Sequence, residues 1–162
     1  MVFEINDEME HLKKIDKNGL TTLHYDLLLL ADPSLELIED YLAQGLVYTW
    51  EVENECIGIC VVAELDTNCA EIKNIAIAES YHRRGWGRKF LRSVVAQIKK
   101  TSYKKLYIAT GNSSLGQLAL YQREGFSICA IHLNHFTYAY REPIYEDGIL
   151  CEHQIVLVKR LD

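Results

Sequence analysis

The chain has 162 residues, of which 49% are hydrophobic and 25% charged, a composition typical of one globular domain and not of a disordered chain. No apolar run approaches the roughly 20 residues of a membrane span, and the acidic residues 1–10 do not resemble a signal peptide. Five scattered cysteines without a Cys-x-x-Cys pair predict free thiols in a reducing cytoplasm. His132 and His135 lack further ligands at metal-binding spacing, so we expect no bound metal. Without a membrane span, we also expect no membrane partner.

The net charge of −6 is unevenly distributed along the chain. Residues 73–105 contain ten Lys/Arg and one acid, a local charge of +9, which leaves −15 for the remainder. A basic patch in an acidic protein predicts a polyanion site, although a solvated helix face is an alternative. Nucleic acid is not favoured, because the patch lacks interleaved exposed aromatics and the remaining surface would repel a duplex.

In the first half of the chain, apolar periodicity and turn residues predict six elements. They are a strand at residues 1–6, helices at 20–31 and 35–43, and strands at 46–52, 56–65 and 70–78. Asp32 or Ser34 would cap the second helix, and Gly45 fits the position after its end.

In the second half, a helix at residues 86–100 carries an apolar stripe and precedes a short strand at 106–110. Asn112 or Ser113 would cap a helix that ends at Gly125. Strands follow at 126–133 and 154–160. Strands on both sides of two helices, after a meander of strands, predict an α/β domain with a mixed sheet.

The segment 71–91, EIKNIAIAESYHRRGWGRKFL, is a predicted strand, a turn and a glycine loop that enters a helix. Backbone N–H groups at Gly85 and Gly87 can approach an anion closely, and the helix start adds unpaired N–H groups. Positive charge comes from Arg83, Arg84 and Arg88. The loop therefore predicts a diphosphate site. A dinucleotide fingerprint fails because its third glycine is Phe90, and no Walker loop is present.

Two strings resemble the motifs of the GCN5-related N-acetyltransferases, the GNAT superfamily. HRRGWG at residues 82–87 is similar to Gln/Arg-x-x-Gly-x-Gly/Ala, with His82 in place of Gln or Arg. LYQREGF at residues 120–126 matches the end of Asn-x-x-Ala-x-x-Leu-Tyr-x-x-x-Gly-Phe, but Ser114 and Gln117 replace its Asn and Ala. The resemblance covers roughly residues 56–133.

The resemblance implies an acetyl-CoA-dependent N-acetyltransferase whose acceptor is a primary amine. It implies one GNAT domain over residues 1–162, with a mixed, mostly antiparallel twisted sheet of six to seven strands flanked by about four helices. The residues expected to contact acetyl-CoA are Ile75, Ala76, Ile77, His82, Arg83, Arg84, Gly85, Trp86, Gly87, Arg88, Asn112, Ser114 and Tyr121.

Amine acetylation needs a base, a polarised carbonyl and a proton for the leaving thiolate. Glu71 lies where one branch of the family has its general base, although a solvent-facing glutamate at a strand end is the alternative. The backbone N–H of Ile77 would polarise the carbonyl. Tyr121 would protonate the thiolate, against the alternative of a half-buried helix aromatic.

The acceptor is left open by the sequence. Acids toward both ends favour a small cationic amine, while a protein N-terminus or lysine, or an acyl-CoA sensor without catalysis, remain alternatives. Residues 134–148 are rich in aromatics and predict an ammonium-binding box, a hairpin turning at Asp147-Gly148 or a homodimer contact. The acidic candidates are Asp26, Glu36, Glu39, Asp40, Glu142, Glu146, Asp147 and Glu152.

Overall fold

A computed structural model describes residues 11–162, which form nine strands, five α-helices and two short 3-10 turns. The strands are β1 (Leu12–Ile15), β2 (Leu46–Val52), β3 (Glu55–Asp66), β4 (Cys69–Ile77), β5 (Lys105–Gly111), β6 (Ser127–His132), β7 (Tyr145–Glu146), β8 (Ile149–Leu150) and β9 (Gln154–Arg160). The helices are α1 (Thr22–Ala31), α2 (Leu35–Leu42), α3 (Trp86–Ile98), α4 (Leu115–Arg123) and α5 (His135–Ala139).

Seven of these strands form one sheet in the order β1-β2-β3-β4-β5-β9-β6. Within the described chain, β4 and β5 are the only parallel neighbours, so the predicted mixed, mostly antiparallel sheet is confirmed. Strands β7 and β8 form a separate hairpin. Its turn residues Asp147 and Gly148 have φ of 51° and 74°, the left-handed pair that a tight two-residue hairpin requires. The predicted hairpin is thus confirmed as well.

The sheet is covered by helices on both faces, and β3 shows how its sequence allows this. Cys60 and Val62 pack with Phe90 of α3, whereas Ile59 and Val61 pack with the core beneath α1 and α2. Successive side chains of a strand point to opposite faces, so a strand that is apolar at nearly every position is buried on both. The second half of the sheet receives α4 on the same face as α3 through Tyr121.

The start of the sheet differs from the sequence prediction. The strand predicted at residues 1–6 lies outside the described residues. The sheet instead begins with β1, whose central Lys13 and Lys14 are exposed while Leu12 and Ile15 are partly covered. With two consecutive lysines at its centre, β1 lacks the alternation of apolar and polar residues by which a strand is predicted from sequence. Among residues 11–162, no helix is long and apolar enough to cross a membrane.

Candidate active site

The two central parallel strands separate partway along their length. β4 pairs with β5 only from Cys69 to Ile72. The next residue, Lys73, forms a bulge opposite β3, and a bulge bends the strand that carries it, here at the point where β4 leaves β5. Ala78 N–H donates to the Ile57 carbonyl of β3 at 2.7 Å. Amides alternate in direction along a strand, so the N–H groups of Ile75 and Ile77 face away from β3, into the opening between the strands.

A cleft of about 630 Å³ occupies this opening. Its wall includes Glu71 and Ile75 of β4, Ser114 and Tyr121 near and on α4, and residues of the α1–α2 junction, α5 and the β7–β8 hairpin. The structure therefore brings the predicted base and the predicted acid to one cavity. The predicted cofactor residues from Ala76 to Arg88 do not line the cleft. They come directly after the cleft-lining residues of β4 in the chain, from the end of that strand to the start of the next helix.

The glycine loop leads into α3, which begins at Trp86. Gly85 caps the helix with φ of 82°, and Arg83 before it is also left-handed with φ of 61°. A Cβ atom built on Gly85 or Gly87 would meet no heavy atom within 4 Å. The space beside these two glycines is thus unfilled, as the diphosphate prediction requires.

His82 fixes this loop to the end of β4. Its Nε2 lies 2.6 Å from the carbonyl oxygen of Ile77, to which the ring N–H donates. Next to it, the Arg84 guanidinium lies over the ring of Tyr81, 5.3 Å from the centroid. The resemblance to the GNAT motif did not predict this role for His82. The bond shows that His82 positions the loop by holding the backbone carbonyl of Ile77.

Arg88, a predicted diphosphate ligand, also takes part in an ion pair within the protein, and its contact with acetyl-CoA stays a prediction. Arg88 and Arg92 of α3 both donate to the carboxylate of Glu124, which follows α4 and is 8% exposed. Burial alone would raise the pKa of Glu124, but the hydrogen bonds and charges of the two arginines lower it overall. These ion pairs join α3 to the end of α4 beside the loop.

Tyr121 is buried, and the exposed fraction of its side chain is 5%. Its ring packs against Phe126, with centroids 6.2 Å apart, while the residue still borders the cleft. Burial, with a smaller contribution from Cys60, raises the pKa of Tyr121 far above its usual value. The phenol is consequently protonated at any physiological pH, the form that a proton donor needs.

The start of α4 corrects the predicted cap. The cap residue is Ser114, which makes no side-chain capping bond, and not the predicted Asn112 or Ser113. The Asn112 side chain bonds to another part of the chain. Its Oδ1 accepts from the backbone N–H groups of Glu152 and His153, and its Nδ2 donates to Leu150. Asn112 thereby anchors the chain between β8 and β9. Its contact with acetyl-CoA stays a prediction, as does that of Ser114.

The far end of the cleft is built by residues that the sequence did not single out as ligands. Asp32, between α1 and α2, accepts hydrogen bonds from Tyr41 and Tyr140, and Asn74 of β4 contacts Tyr41. The sequence Asp-Pro-Ser predicts only a helix start at Asp32, and Ser34 does cap α2. Nothing in the local pattern indicates a partner 108 residues away.

Of the eight acids proposed for the acceptor side, only Glu146 lines the cleft. Its Oε1 accepts from the hydroxyls of Ser113 and Ser114 at 3.3 and 2.8 Å. From the aromatic segment 134–148, Phe136 and Tyr140 reach the cleft, whereas Tyr138 is 85% exposed. Within residues 11–162, no group of three or more His, Cys, Asp or Glu side chains is arranged to hold a metal ion.

Comparison with known proteins agrees with this architecture. Residues 12–126 match the family model described as Acetyltransferase (GNAT) family. The acetyl-CoA-bound GNAT family acetyltransferase of Elizabethkingia anophelis is 46% identical, with a TM-score of 0.88 over 92% of this chain and 96% of that one. An IAA acetyltransferase of Bacillus cereus ATCC 14579 is 40% identical, with a TM-score of 0.87 over 92% and 97% of the two chains.

One sequence relative is the uncharacterized N-acetyltransferase YvbK of Bacillus subtilis (strain 168). It is 41% identical over 133 residues, which cover 82% of this chain and 86% of the relative. The family model and these relatives, together with the splayed sheet and the glycine loop, identify an acetyltransferase. The chain belongs to the GNAT family, and its activity is that of an N-acetyltransferase.

Proposed function

We propose that the protein, acting as one domain over residues 1–162, transfers an acetyl group from acetyl-CoA to a primary amine of a small cationic molecule. The observation that carries the acceptor assignment is the charge of the cleft. Three carboxylates and one lysine line it, for a net charge of −2: Asp32, Glu71, Glu146 and Lys73. Burial, followed by the charges of His132 and Lys73, lowers the pKa of His135, so this lining residue adds no charge at neutral pH.

The donor side of the proposal depends on the glycine loop and the splayed strand. The open backbone at Gly85 and Gly87, with the start of the 13-residue helix α3, would hold the diphosphate. The outward N–H groups of Ile75 and Ile77 would pair with the pantetheine arm and the thioester carbonyl. Arg83 and Arg84, which are exposed on the loop, would supply charge. The acetyl-CoA-bound relative from Elizabethkingia anophelis supports this assignment.

The reaction itself is a direct transfer. The neutral amine nitrogen attacks the thioester carbonyl carbon, a C–N bond forms, and the C–S bond breaks as the electron pair returns to sulfur. The amine loses one proton and the CoA thiolate gains one, so no further reagent is required. Preorganised N–H donors at Ile77 would stabilise the developing oxyanion.

Each proton has a candidate side chain in the cleft. A free alkylammonium has a pKa near ~10, so most of an amine acceptor arrives protonated and must be deprotonated first. Glu71 would accept that proton, directly or through one water. Tyr121, which burial keeps protonated, would give one to the thiolate.

A panel of amines at matched concentration, with release of free CoA thiol as the signal, tests the proposal. We expect small polycationic amines to be acetylated faster than neutral or anionic amines such as amino acids. Peptides with free N-termini or internal lysines serve as the comparison for a protein acceptor. Preferential acetylation of those peptides would contradict the small-molecule assignment, and tight acetyl-CoA binding without any amine turnover would contradict catalysis.

A further inference from the structure

Asp32 is the centre of a hydrogen-bond network at the end of the cleft. Its Oδ1 accepts from the Tyr140 hydroxyl at 2.8 Å and from the Ser34 backbone N–H at 3.0 Å. Its Oδ2 accepts from the Tyr41 hydroxyl at 3.3 Å. The network fixes the carboxylate in place without neutralising it.

The direction of every bond in this network is determined. The Leu28 carbonyl can only accept, so the Asn74 group facing it at 2.9 Å must be the Nδ2 amide. The same NH2 group donates to the Tyr41 hydroxyl at 2.9 Å, which leaves the Tyr41 proton for Asp32. All the donors around Asp32 point toward its carboxylate. The network therefore offers hydrogen-bond acceptors and negative charge to a molecule in the cleft.

Two acceptor positions remain unused after these bonds are counted. A carboxylate offers about four acceptor sites, and the three bonds leave one on Asp32 Oδ2. Asn74 is 3% exposed, and its Oδ1 has no hydrogen-bond partner among the described residues. Both residues line the cleft. The unused position on Asp32 favours an occupant that donates a hydrogen bond, whereas the Asn74 oxygen is enclosed by protein and is not reached from the cleft.

The charge of Asp32 is also without a cation. In residues 11–162, the ion pairs engage Glu51, Glu71 and Glu124, and none engages Asp32. The rings of Phe136 and Tyr140 stand at the same end of the cleft, stacked with centroids 5.7 Å apart. Aromatic faces near a carboxylate attract an ammonium group, which also carries several N–H donors.

We propose that Asp32 and the aromatic pair bind a second, cationic nitrogen of the acceptor, remote from the amine that is acetylated. The preferred acceptors are then diamines or other amines with a distal basic nitrogen, and simple monoamines are poor substrates. This inference rests on the proposed function, since it describes the acceptor of the same cleft. A site that is built to bond a polar group rejects an analogue that lacks it.

The test compares n-butylamine with 1,4-diaminobutane, which differ by one nitrogen. In the intact protein with saturating acetyl-CoA, we expect kcat/KM for the diamine to exceed that for the monoamine by about tenfold to a hundredfold, as for one charged hydrogen-bonding contact. Asp32→Asn keeps the shape but removes the charge, and we expect it to collapse this ratio mainly through KM. Tyr140→Phe removes one bond to Asp32 and should reduce the ratio less.

Asp40→Asn is the matched control, because Asp40 is an exposed acid on α2 that does not line the cleft. It should leave the ratio unchanged. Calorimetric titration of 1,4-diaminobutane into the CoA-saturated protein gives a readout independent of turnover. Binding that weakens about tenfold or more in Asp32→Asn supports the site even if no amine is acetylated. Equal kcat/KM for the two amines, or a ratio and a diamine affinity that Asp32→Asn does not alter, would overturn the inference and leave the acetyltransferase assignment intact.

Discussion

The Lys73 ammonium lies 3.2 Å from the Glu71 carboxylate, two positions along the same strand. The Glu71 side chain is 17% exposed and borders the cleft, while Lys73 sits on the bulge where β4 leaves β5. Glu71 thus reaches the cleft already paired with a cation of its own strand. The pair therefore joins the proposed base to the feature that opens the sheet.

If Glu71 removes the acceptor's proton, Glu71→Gln should lower kcat by about a hundredfold at pH 7, within the usual range for loss of a general base. The defect should shrink as the pH rises toward the amine's own pKa, because more acceptor is then already neutral. The measurement is kcat as a function of pH for wild type and variant. Glu36→Gln, an exposed acid on α2, should show no change, and a defect independent of pH would indicate a binding role for Glu71 instead.

Removal of the Tyr121 hydroxyl tests the second proton. Tyr121→Phe keeps the packing against Phe126, so the fold and the KM for acetyl-CoA should change less than about twofold. We expect kcat to fall by about ten- to a hundredfold, because the thiolate would leave without a proton donor. Steady-state kinetics with acetyl-CoA as the varied substrate separate the two parameters. Unchanged turnover would remove Tyr121 from the mechanism.

The His82–Ile77 bond makes a prediction about the glycine loop. His82→Ala should weaken CoA binding by about threefold to tenfold, as expected for loss of one hydrogen bond that positions the loop. His82→Gln, which restores the residue usual in the GNAT motif and can donate to the same carbonyl, should recover most of the affinity. Titration calorimetry with CoA measures both. Equal affinity in the alanine and glutamine variants would show that the loop is held by its backbone alone.

The Glu124 ion pairs predict an acid-sensitive contribution to stability. The folded-state pKa of Glu124 lies below its ordinary 4.5, so the contribution is fully present above that value and is lost as the pH falls through the folded pKa. Arg88 and Arg92 are about half exposed, and solvent screening limits the effect at pH 7 to about 1 kcal/mol. Urea denaturation of wild type and Glu124→Gln from pH 7 into the acid range should show a difference at pH 7 that shrinks as the pH falls.

Local patterns predicted the elements that carry the donor site. The strands 46–52 and 154–160 were placed at the bounds the structure shows, because alternating or continuous apolar runs end there at charged or turn residues. The glycine loop and the helix after it were likewise predictable, since glycine, N-terminal N–H groups and an apolar stripe are local signals. The homodimer contact suggested for residues 134–148 stays a prediction.

The acceptor side was not predictable in the same way. Asp32 acquires its role from Tyr41 and Tyr140, and the second of these lies 108 residues further along the chain. A sequence pattern reports neighbours within a helix turn or a strand pair, and it carries no information on such long-range contacts. Helix α5, with five residues, is too short to show a period, so no helix was predicted within residues 134–148.

The hydrogen bond between Tyr140 and Asp32 has a consequence for how the enzyme can change. The proposed donor machinery comes from one continuous stretch, from Glu71 to Phe126, whereas the proposed acceptor wall is assembled from the α1–α2 junction and the segment after β6. Substitutions in those two outer segments can therefore alter which amine is accepted while acetyl-CoA is held as before. Substrate range can diverge between relatives of this protein without any change in the central sheet.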